Sequence, residues 1–161
     1  MILKKWDMRF LDMAKMVGSW SKDPSTQVGA AIVDNDRRVI SVGYNGFPKG
    51  VADNERLEDR EEKYKMIVHA ERNALLFSNT SVKNCSIFTY PFMPCPVCAG
   101  MIIQCGISRV VSIESDNTRW KKDFDISRQM FKEAEIDVIE YELSIYLEYW
   151  IKVLTHQMTM L

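Results

Sequence analysis

Apolar residues recur at helical spacing near the start of the chain and at strand spacing in the two segments that follow. Steps of three and four residues predict a first helix on the apolar positions Trp6, Phe10, Met13, Val17 and Trp20. Small and β-branched residues predict a strand over residues 27–33, and alternation predicts a second strand over residues 37–44. Because turn-forming residues occupy positions 34–36, these two strands are expected to form a hairpin.

From residue 68 onward, the predicted strands and helices alternate. Strands are expected at residues 86–90, 110–113 and 136–139. Helices are expected at residues 69–77, 94–104, 124–134 and about 142–158. Such alternation is typical of parallel strands. With the hairpin, it predicts an α/β fold of about five strands with helices on both faces, in a single domain spanning residues 1–161.

Periodicity also predicts which side chains face the interior. In the helix at 69–77, the residues able to face a core are Ala70, Ala74, Leu75 and Leu76. In the helix at 124–134, they are Ile126, Met130 and Phe131. The tail helix has apolar residues on all of its sides, which is typical of a helix that is buried or at an interface. The charge run at 53–65 predicts a solvated loop or surface helix.

Composition narrows the class of protein without identifying a function. The chain has 161 residues, 47% hydrophobic and 27% charged, as is ordinary for one globular domain with a core. A net charge of −1 argues against a nucleic-acid polymer as partner. No apolar run reaches membrane-spanning length, and residues 1–10 lack the apolar centre of a secretory signal. Four cysteines fit a reducing compartment better than a disulfide framework, so we expect a cytoplasmic protein without membrane contacts.

Three residues supply the ligands of one predicted zinc site. His69, Cys95 and Cys98 offer an imidazole and two thiolates, and three protein ligands leave the fourth tetrahedral position open for water. Zinc lowers the pKa of such a water to about 7. Glu71 is not needed as a ligand and is free to move protons. The pattern H-x-E followed by P-C-x-x-C is a signature of zinc nucleobase deaminases.

The spacing of these residues has a structural interpretation. Cys95 and Cys98 are three residues apart, so they share one face of a helix, and Pro94 suits the opening of that helix. Both thiolates would then lie near a helix N-terminus, where the helix dipole favours anions. His69 and Glu71 would lie in the first turn of their own helix. Two helix starts that face each other could hold the three ligands rigidly around one metal.

Other interpretations of these residues stay open. A C-x-x-C pair alone is often redox-active or structural, and a structural zinc usually has four protein ligands. A non-catalytic, zinc-stabilised binding module would not need Glu71. The second histidine, His156, is expected at the surface or at an interface. Cys85 and Cys105 are expected to be small buried hydrophobic residues.

Two further segments are similar to those of a known family. They are DPSTQVGAAIV at residues 23–33 and GYNGFPKG at residues 43–50. With HAE and PCPVC, they resemble the cytidine deaminase-like superfamily, and the second segment points to its deoxycytidylate (dCMP) deaminases. The resemblance covers about residues 21–139. It implies a three-layer α/β/α sandwich around a five-stranded mixed sheet whose last two strands are parallel.

The resemblance also implies a reaction, the hydrolytic deamination of dCMP to dUMP and ammonia, which feeds dTMP synthesis. His69, Cys95 and Cys98 would bind one catalytic zinc per subunit. Glu71 would carry protons while an activated water attacks C4 of cytosine. Such general acid–base catalysis contributes about 10² to 10⁴ in rate.

Substrate contacts follow less directly. By resemblance, Asn45 would hydrogen-bond the sugar 3′-hydroxyl and Val28 would pack against the base; the alternatives are a turn residue and ordinary strand core. Ala70 would offer its backbone to the carbonyl edge of cytosine. Lys22, a compact cation, is a candidate for the 5′-phosphate or else a solvated surface lysine.

Family members are commonly hexamers regulated by deoxynucleoside triphosphates with Mg²⁺, with dCTP activating and dTTP inhibiting. The resemblance places the effector site on Gly46, Phe47, Lys49 and Gly50. Glycines let backbone N–H groups approach phosphates, and Lys49 adds charge. Any tight turn would use the same residues.

The chain departs from the family pattern in three places. It has no cysteine where some members hold a second, structural zinc, so one zinc is expected. Arg72 stands where many relatives have an apolar residue, which puts a charge beside the pocket or at a subunit contact. Residues 116–118 replace a stretch that often contains tyrosine, leaving Arg119 and Trp120 as nearby phosphate-binding candidates. Competing substrates are cytidine, cytosine, dCTP and tRNA adenosine, the last disfavoured by the net charge.

Overall fold

A five-stranded sheet between two layers of helices forms the part of the chain that the computed structural model describes, residues 4–115 and 117–158. The strands are β1 Gly29–Val33, β2 Val39–Tyr44, β3 Ser86–Tyr90, β4 Arg109–Ile113 and β5 Asp137–Tyr141. The helices are α1 Lys5–Gly18, α2 Arg60–Met66, α3 Ala70–Leu76, α4 Pro96–Gln104, α5 Lys121–Glu133 and α6 Leu143–Met158, with a 3₁₀ turn at Glu55–Leu57.

The strand order in the sheet is β2-β1-β3-β4-β5. β1 pairs antiparallel with both β2 and β3, whereas β3, β4 and β5 run parallel. The connections from β3 to β4 and from β4 to β5 pass through helices, as parallel neighbours require. The predicted hairpin and the parallel last two strands are therefore confirmed.

Each face of the sheet has its own apolar core. On one face, α3, α4 and α5 pack over the sheet through residues such as Ala70, Ile102 and Phe131. On the other face, α1 and α6 do so through residues such as Leu11 and Tyr146. This is the predicted three-layer α/β/α sandwich. No helix among the described residues is both long and apolar enough to cross a membrane.

Helix α3 approaches strand β2 at backbone distance. A Cβ atom on Gly43 would collide with the carbonyl of Ala70 and the amide of Ala74. Only glycine permits this approach, and it fixes the first turn of α3 against the sheet. Since Glu71 lies in that turn, the position of this carboxyl depends on the missing side chain at Gly43.

Several local predictions were wrong. The proline in the first turn of α4 is Pro96, and Cys95 is the N-cap, so Pro94 precedes the helix. Leu76 is 67% exposed and Ile126 is 51% exposed, because both lie on the outer side of their helices. Cys105, at the C-terminal end of α4, is exposed, although Cys85 is buried as expected.

Two other segments differ from their simplest interpretation. The charge run at 53–65 is mostly exposed, but Lys63 is buried within it. The tail helix α6 buries Tyr146 and leaves an apolar stripe exposed, made of Leu143, Leu147, Ile151 and Leu154. Asp116, in the stretch compared with the family tyrosine, and the side chain of His156 lie outside the described residues.

Candidate metal centre

Two helix starts meet at the candidate metal centre. His69 is the N-cap of α3 and Cys95 is the N-cap of α4, both with extended backbone angles, at φ −71°, ψ 156° and φ −69°, ψ 167°. Neither side chain caps its own helix, so each is free to turn toward the other. Cys98 lies in the first turn of α4 and is fully buried. The predicted arrangement of facing helix starts is therefore present, with His69 just before its helix.

The distances among these side chains fit zinc. Nδ1 of His69 is 3.5 Å from Sγ of Cys95 and 3.4 Å from Sγ of Cys98, and all three atoms lie within 4.8 Å of one another. Tetrahedral zinc with ordinary Zn–N and Zn–S bond lengths places nitrogen and sulfur about 3.6 Å apart. A histidine and two cysteines also form a donor set that zinc prefers. The three residues therefore fit this ion in geometry and in chemistry.

The three candidate ligands differ in how readily they lose a proton. The pKa of Cys95 is lowered to about 3, chiefly because its sulfur accepts a hydrogen bond from Cys98. As the donor in that pair, Cys98 has a raised pKa. A hydrogen bond to Cys95 also raises the pKa of His69. Because metal ligation needs both thiolates and a neutral imidazole, metal binding must release these protons.

Glu71 is the buried acid beside this centre. It is 4% exposed, and burial raises its pKa above the ordinary value for glutamate. It is not a member of the cluster formed by His69, Cys95 and Cys98. A raised pKa makes this carboxyl a stronger proton acceptor than an ordinary glutamate, as a general base requires. The arrangement thus separates metal ligation from proton transfer.

A cavity of about 610 Å³ opens next to the segment that leads into Cys95. It is lined by the loop at residues 23–27 and by Pro91 and Phe92. Phe92 also contacts Phe124, with ring centroids 6.0 Å apart. Sequence reasoning did not single out Phe92, and its position just before the PCPVC motif was the available signal.

The four predicted substrate residues lie in different environments. Asn45 is buried: its Oδ1 accepts from the amide of Val28 at 2.8 Å, and its Nδ2 donates to the carbonyl of Thr26 at 2.9 Å. Val28 packs against the core. Ala70 is buried at the start of α3, next to His69. Lys22 has a highly exposed side chain and pairs with Asp53 at 2.8 Å.

The predicted effector loop begins beside the residue that precedes His69. Gly46 forms an isolated antiparallel bridge with Val68, the residue before His69. Phe47 lies under the guanidinium of Arg56, with 5.7 Å between that group and the ring centroid. Lys49 and Gly50 are exposed, and Gly50 has a φ of 87°, which favours glycine.

The two arginines that the sequence comparison singled out, Arg72 and Arg119, have distinct surroundings. The buried Nε of Arg72 has no hydrogen-bond partner among the described residues, and its charge acts on His69 and Cys98. Of the two expectations for Arg72, this electrostatic effect favours a place beside the pocket. Arg119 lies over the rings of Trp120 and Tyr64, at 4.8 and 5.6 Å from their centroids.

Comparison with known proteins agrees with this geometry. Residues 4–114 match the model of a family described as the cytidine and deoxycytidylate deaminase zinc-binding region. The chain belongs to this deaminase family. The resemblance inferred from the sequence motifs is thereby confirmed, and the residues of the His-Cys-Cys cluster lie within the matched region.

Curated relatives of this deaminase cover most of its length. An uncharacterized deaminase from Aliivibrio fischeri is 46% identical over 147 residues, which is 89% of this chain and 99% of the relative. The human deoxycytidylate deaminase is 36% identical over 139 residues, which is 82% of this chain and 77% of the human protein. A probable deoxycytidylate deaminase from Caenorhabditis elegans is 41% identical over 139 residues, covering 83% of this chain and 68% of that protein.

Solved structures show the same fold. The crystal structure of the dCMP deaminase from cyanophage S-TIM5 in complex with dCMP and dUMP superposes with a TM-score of 0.70 at 26% identity. That match covers 87% of this chain and 99% of the phage protein. A tRNA:A34 deaminase structure matches with a TM-score of 0.51 at 18% identity, a likeness of fold alone.

We expect Cys95→Ser to reduce the zinc retained per chain by about tenfold or more after dialysis against a weak chelator. A serine hydroxyl stays protonated at neutral pH, whereas the ligand must be an anion. Elemental analysis of the purified protein measures the change. Cys105→Ser is the matched control, because Cys105 is exposed about 15 Å away along α4. Equal zinc in both variants would contradict the assignment of Cys95.

Proposed function

We propose that this deaminase hydrolyses dCMP to dUMP and ammonia, a reaction that feeds dTMP synthesis. The observation that carries the proposal is the buried Glu71 carboxyl, with its raised pKa, next to the donor cluster His69, Cys95 and Cys98. Relatives named deoxycytidylate deaminase, and the phage enzyme in complex with dCMP and dUMP, support the choice of substrate.

The residues of the site would divide the chemical work. A zinc ion held by His69, Cys95 and Cys98 would supply Lewis-acid activation of a water molecule. Glu71 takes the proton that this water loses and delivers it to N3 of cytosine, where electron density accumulates as C4 is attacked. The same carboxylate then carries the proton of the new C4 hydroxyl to the exocyclic nitrogen. That nitrogen leaves as ammonia, and the carboxylate returns to its starting state.

The cavity of about 610 Å³ would receive the rest of the nucleotide. Asn45 Oδ1 uses one lone pair on the Val28 amide and keeps the second for the sugar 3′-hydroxyl. Val28 would pack against the base. The amide of Ala70 lies in the first turn of α3, so no carbonyl within that helix accepts from it, and it can meet the cytosine carbonyl. For Lys22 to bind the 5′-phosphate, the phosphate would have to compete with Asp53.

Regulation and assembly complete the proposal. The enzyme would form homo-oligomers, as a hexamer, with dCTP as activator and dTTP as inhibitor, each bound with Mg²⁺. The effector site would include Gly46, Phe47, Lys49 and Gly50. Lys49 and Gly50 lie in an exposed turn, so the charge of Lys49 is accessible to phosphates. The free thiols of the described cysteines support a cytoplasmic location, where the reducing environment keeps them free.

We expect dCMP to be the preferred substrate among cytosine and adenine compounds. The cavity offers room beyond the base, and the relatives are named for this nucleotide. Ammonia release from zinc-loaded protein with dCMP, cytidine, cytosine, dCTP and a tRNA measures kcat/KM for each. We expect a value for dCMP at least about tenfold above the others. Higher turnover of another compound would replace dCMP as the substrate, and no ammonia from any would favour a non-catalytic zinc module.

We expect Glu71→Gln to bind zinc like the wild type and to lose about 10² to 10⁴ in kcat. The amide keeps the shape of the side chain but cannot carry a proton. Elemental analysis and steady-state kinetics with dCMP measure the two effects on the same preparation. Glu61→Gln, at an exposed position in α2, is the control and should retain activity. Near-normal turnover by Glu71→Gln would exclude the assigned role.

We expect dTTP with Mg²⁺ to lower the rate of dCMP turnover and dCTP to restore it. Lys49→Ala should raise the dTTP concentration for half inhibition by about tenfold, because one charge facing the phosphates is lost. Titration of each effector at a subsaturating dCMP concentration measures both effects. A rate that does not change across either titration would contradict the regulatory proposal.

A further inference from the structure

A buried lysine lies next to the cavity, in a segment where composition suggests only solvated charges. Lys63, on α2, is 2% exposed. Its Nζ donates to Asp23 Oδ1 at 2.8 Å and to Ser25 Oγ at 2.6 Å. Removing an ammonium group from water costs several kcal/mol, and a buried ion pair seldom adds net stability over apolar residues of similar size. Stability alone therefore does not account for the charge.

The partner of Lys63 organises a loop. Besides Lys63, Asp23 Oδ1 accepts from the Ser25 amide at 2.9 Å, the Ser25 hydroxyl at 2.8 Å and the Thr26 amide at 3.2 Å. Asp23 Oδ2 accepts from Asn45 Nδ2 at 3.3 Å. Burial opposes ionisation of Asp23, but these hydrogen bonds outweigh it, so its pKa is lower than usual. One carboxylate thus fixes the backbone of the loop that lines the cavity.

The loop and the segment that leads to His69 are held by different hydrogen bonds, made by the consecutive residues Asn45 and Gly46. Asn45 ties the loop to the end of β2 through the amide of Val28. The segment before His69 is held by paired backbone hydrogen bonds between Gly46 and Val68, at 3.1 and 2.9 Å. A change at Lys63 should therefore loosen the loop and leave the position of His69 in place.

We propose that Lys63 is a positioning residue, which acts through Asp23 to hold the loop at residues 23–27 in the shape that binds the sugar and phosphate of the nucleotide. The inference rests on the proposed function, because it assigns the cavity to the non-base part of dCMP. Lys63 touches neither the substrate nor the metal ligands. It sets the affinity of the site for nucleotide and leaves the chemical step to Glu71.

The first experiment compares Lys63→Met with Lys65→Met, a matched control at an exposed lysine of the same helix. For Lys63→Met we expect a rise of about tenfold or more in the KM for dCMP, with kcat within about threefold of the wild type and unchanged zinc per chain. Hydrogen exchange at the amides of Ser25, Thr26 and Val28 should accelerate by about tenfold. Amides of β3 and β4 should keep their protection. Lys65→Met should match the wild type in every measurement.

A second variant keeps the test informative if Lys63→Met leaves Asp23 unpaired and folds poorly. The double variant Asp23→Asn with Lys63→Met removes both charges, so no buried carboxylate lacks its partner. We expect its unfolding midpoint to approach that of the wild type while the KM stays raised. If the KM returns to the wild-type value together with stability, Lys63 has only a structural role and the inference is overturned.

Failure of the inference differs from failure of the proposed function. If the wild-type protein does not turn over dCMP, both are overturned. If the wild type turns over dCMP and Lys63→Met shows an unchanged KM and unchanged exchange in the loop, only the inference is overturned. A uniform loss of protection across the sheet, with KM unchanged in the folded fraction, also contradicts a positioning role.

Discussion

The site depends on bringing three donor atoms from the starts of two different helices to within 4.8 Å of one another, with a carboxyl beside them. The sheet provides this constraint. Strand β3 ends at Tyr90 and delivers the chain to the start of α4, while Gly43 lets α3 lie directly against β2. His69 and Cys95 then occupy equivalent N-cap positions, so their side chains project from helix starts rather than from helix sides.

Hydrogen bonds among the side chains of the donor set add to the backbone in holding it together. Hydrogen bonds from Cys98 and His69 stabilise Cys95 as a thiolate. Its negative charge favours a cation at this position. Glu71 experiences the opposite effect, since burial raises its pKa and favours its proton. One small volume therefore contains a thiolate, which favours a cation, and a carboxyl whose raised pKa makes it a stronger proton acceptor than an ordinary glutamate. Groups whose surroundings push their pKa values apart are typical of acid–base sites.

Most of the fold could be predicted from sequence because its signals are local. Residues 86–90 form a strand as expected, and the alternation of strands and helices gave the parallel half correctly. The cluster of candidate zinc ligands could also be predicted, since H-x-E and C-x-x-C each span one helical turn and the structure brings His69, Cys95 and Cys98 together. Errors arose where two assignments share a pattern. Both Pro94 and Pro96 suit a helix opening, and only the packed structure shows that the buried Pro94 precedes the helix.

Other features were out of reach of local patterns. The partner of Lys63 is 40 residues away in sequence, so nothing near Lys63 distinguishes it from the exposed lysines around it. Likewise, Ile126 follows Phe124 by two positions, which places it on the opposite side of α5, where the core does not reach. Residues that belong to one short chemical motif can be predicted from the sequence. Polar contacts between segments that are distant in sequence, such as the contact made by Lys63, cannot.

The outer face of α6 connects the fold to the proposed assembly. Its exposed apolar residues Leu143, Leu147, Ile151 and Leu154 follow steps of four, four and three, so they form one continuous stripe. The neighbouring face packs Tyr146 against the core beside α1. A single core therefore does not use all the apolar surface of this helix. Such a stripe supports subunit contact on the side of the sheet opposite to α3 and α4, which would leave the helices of the metal centre uncovered by that contact.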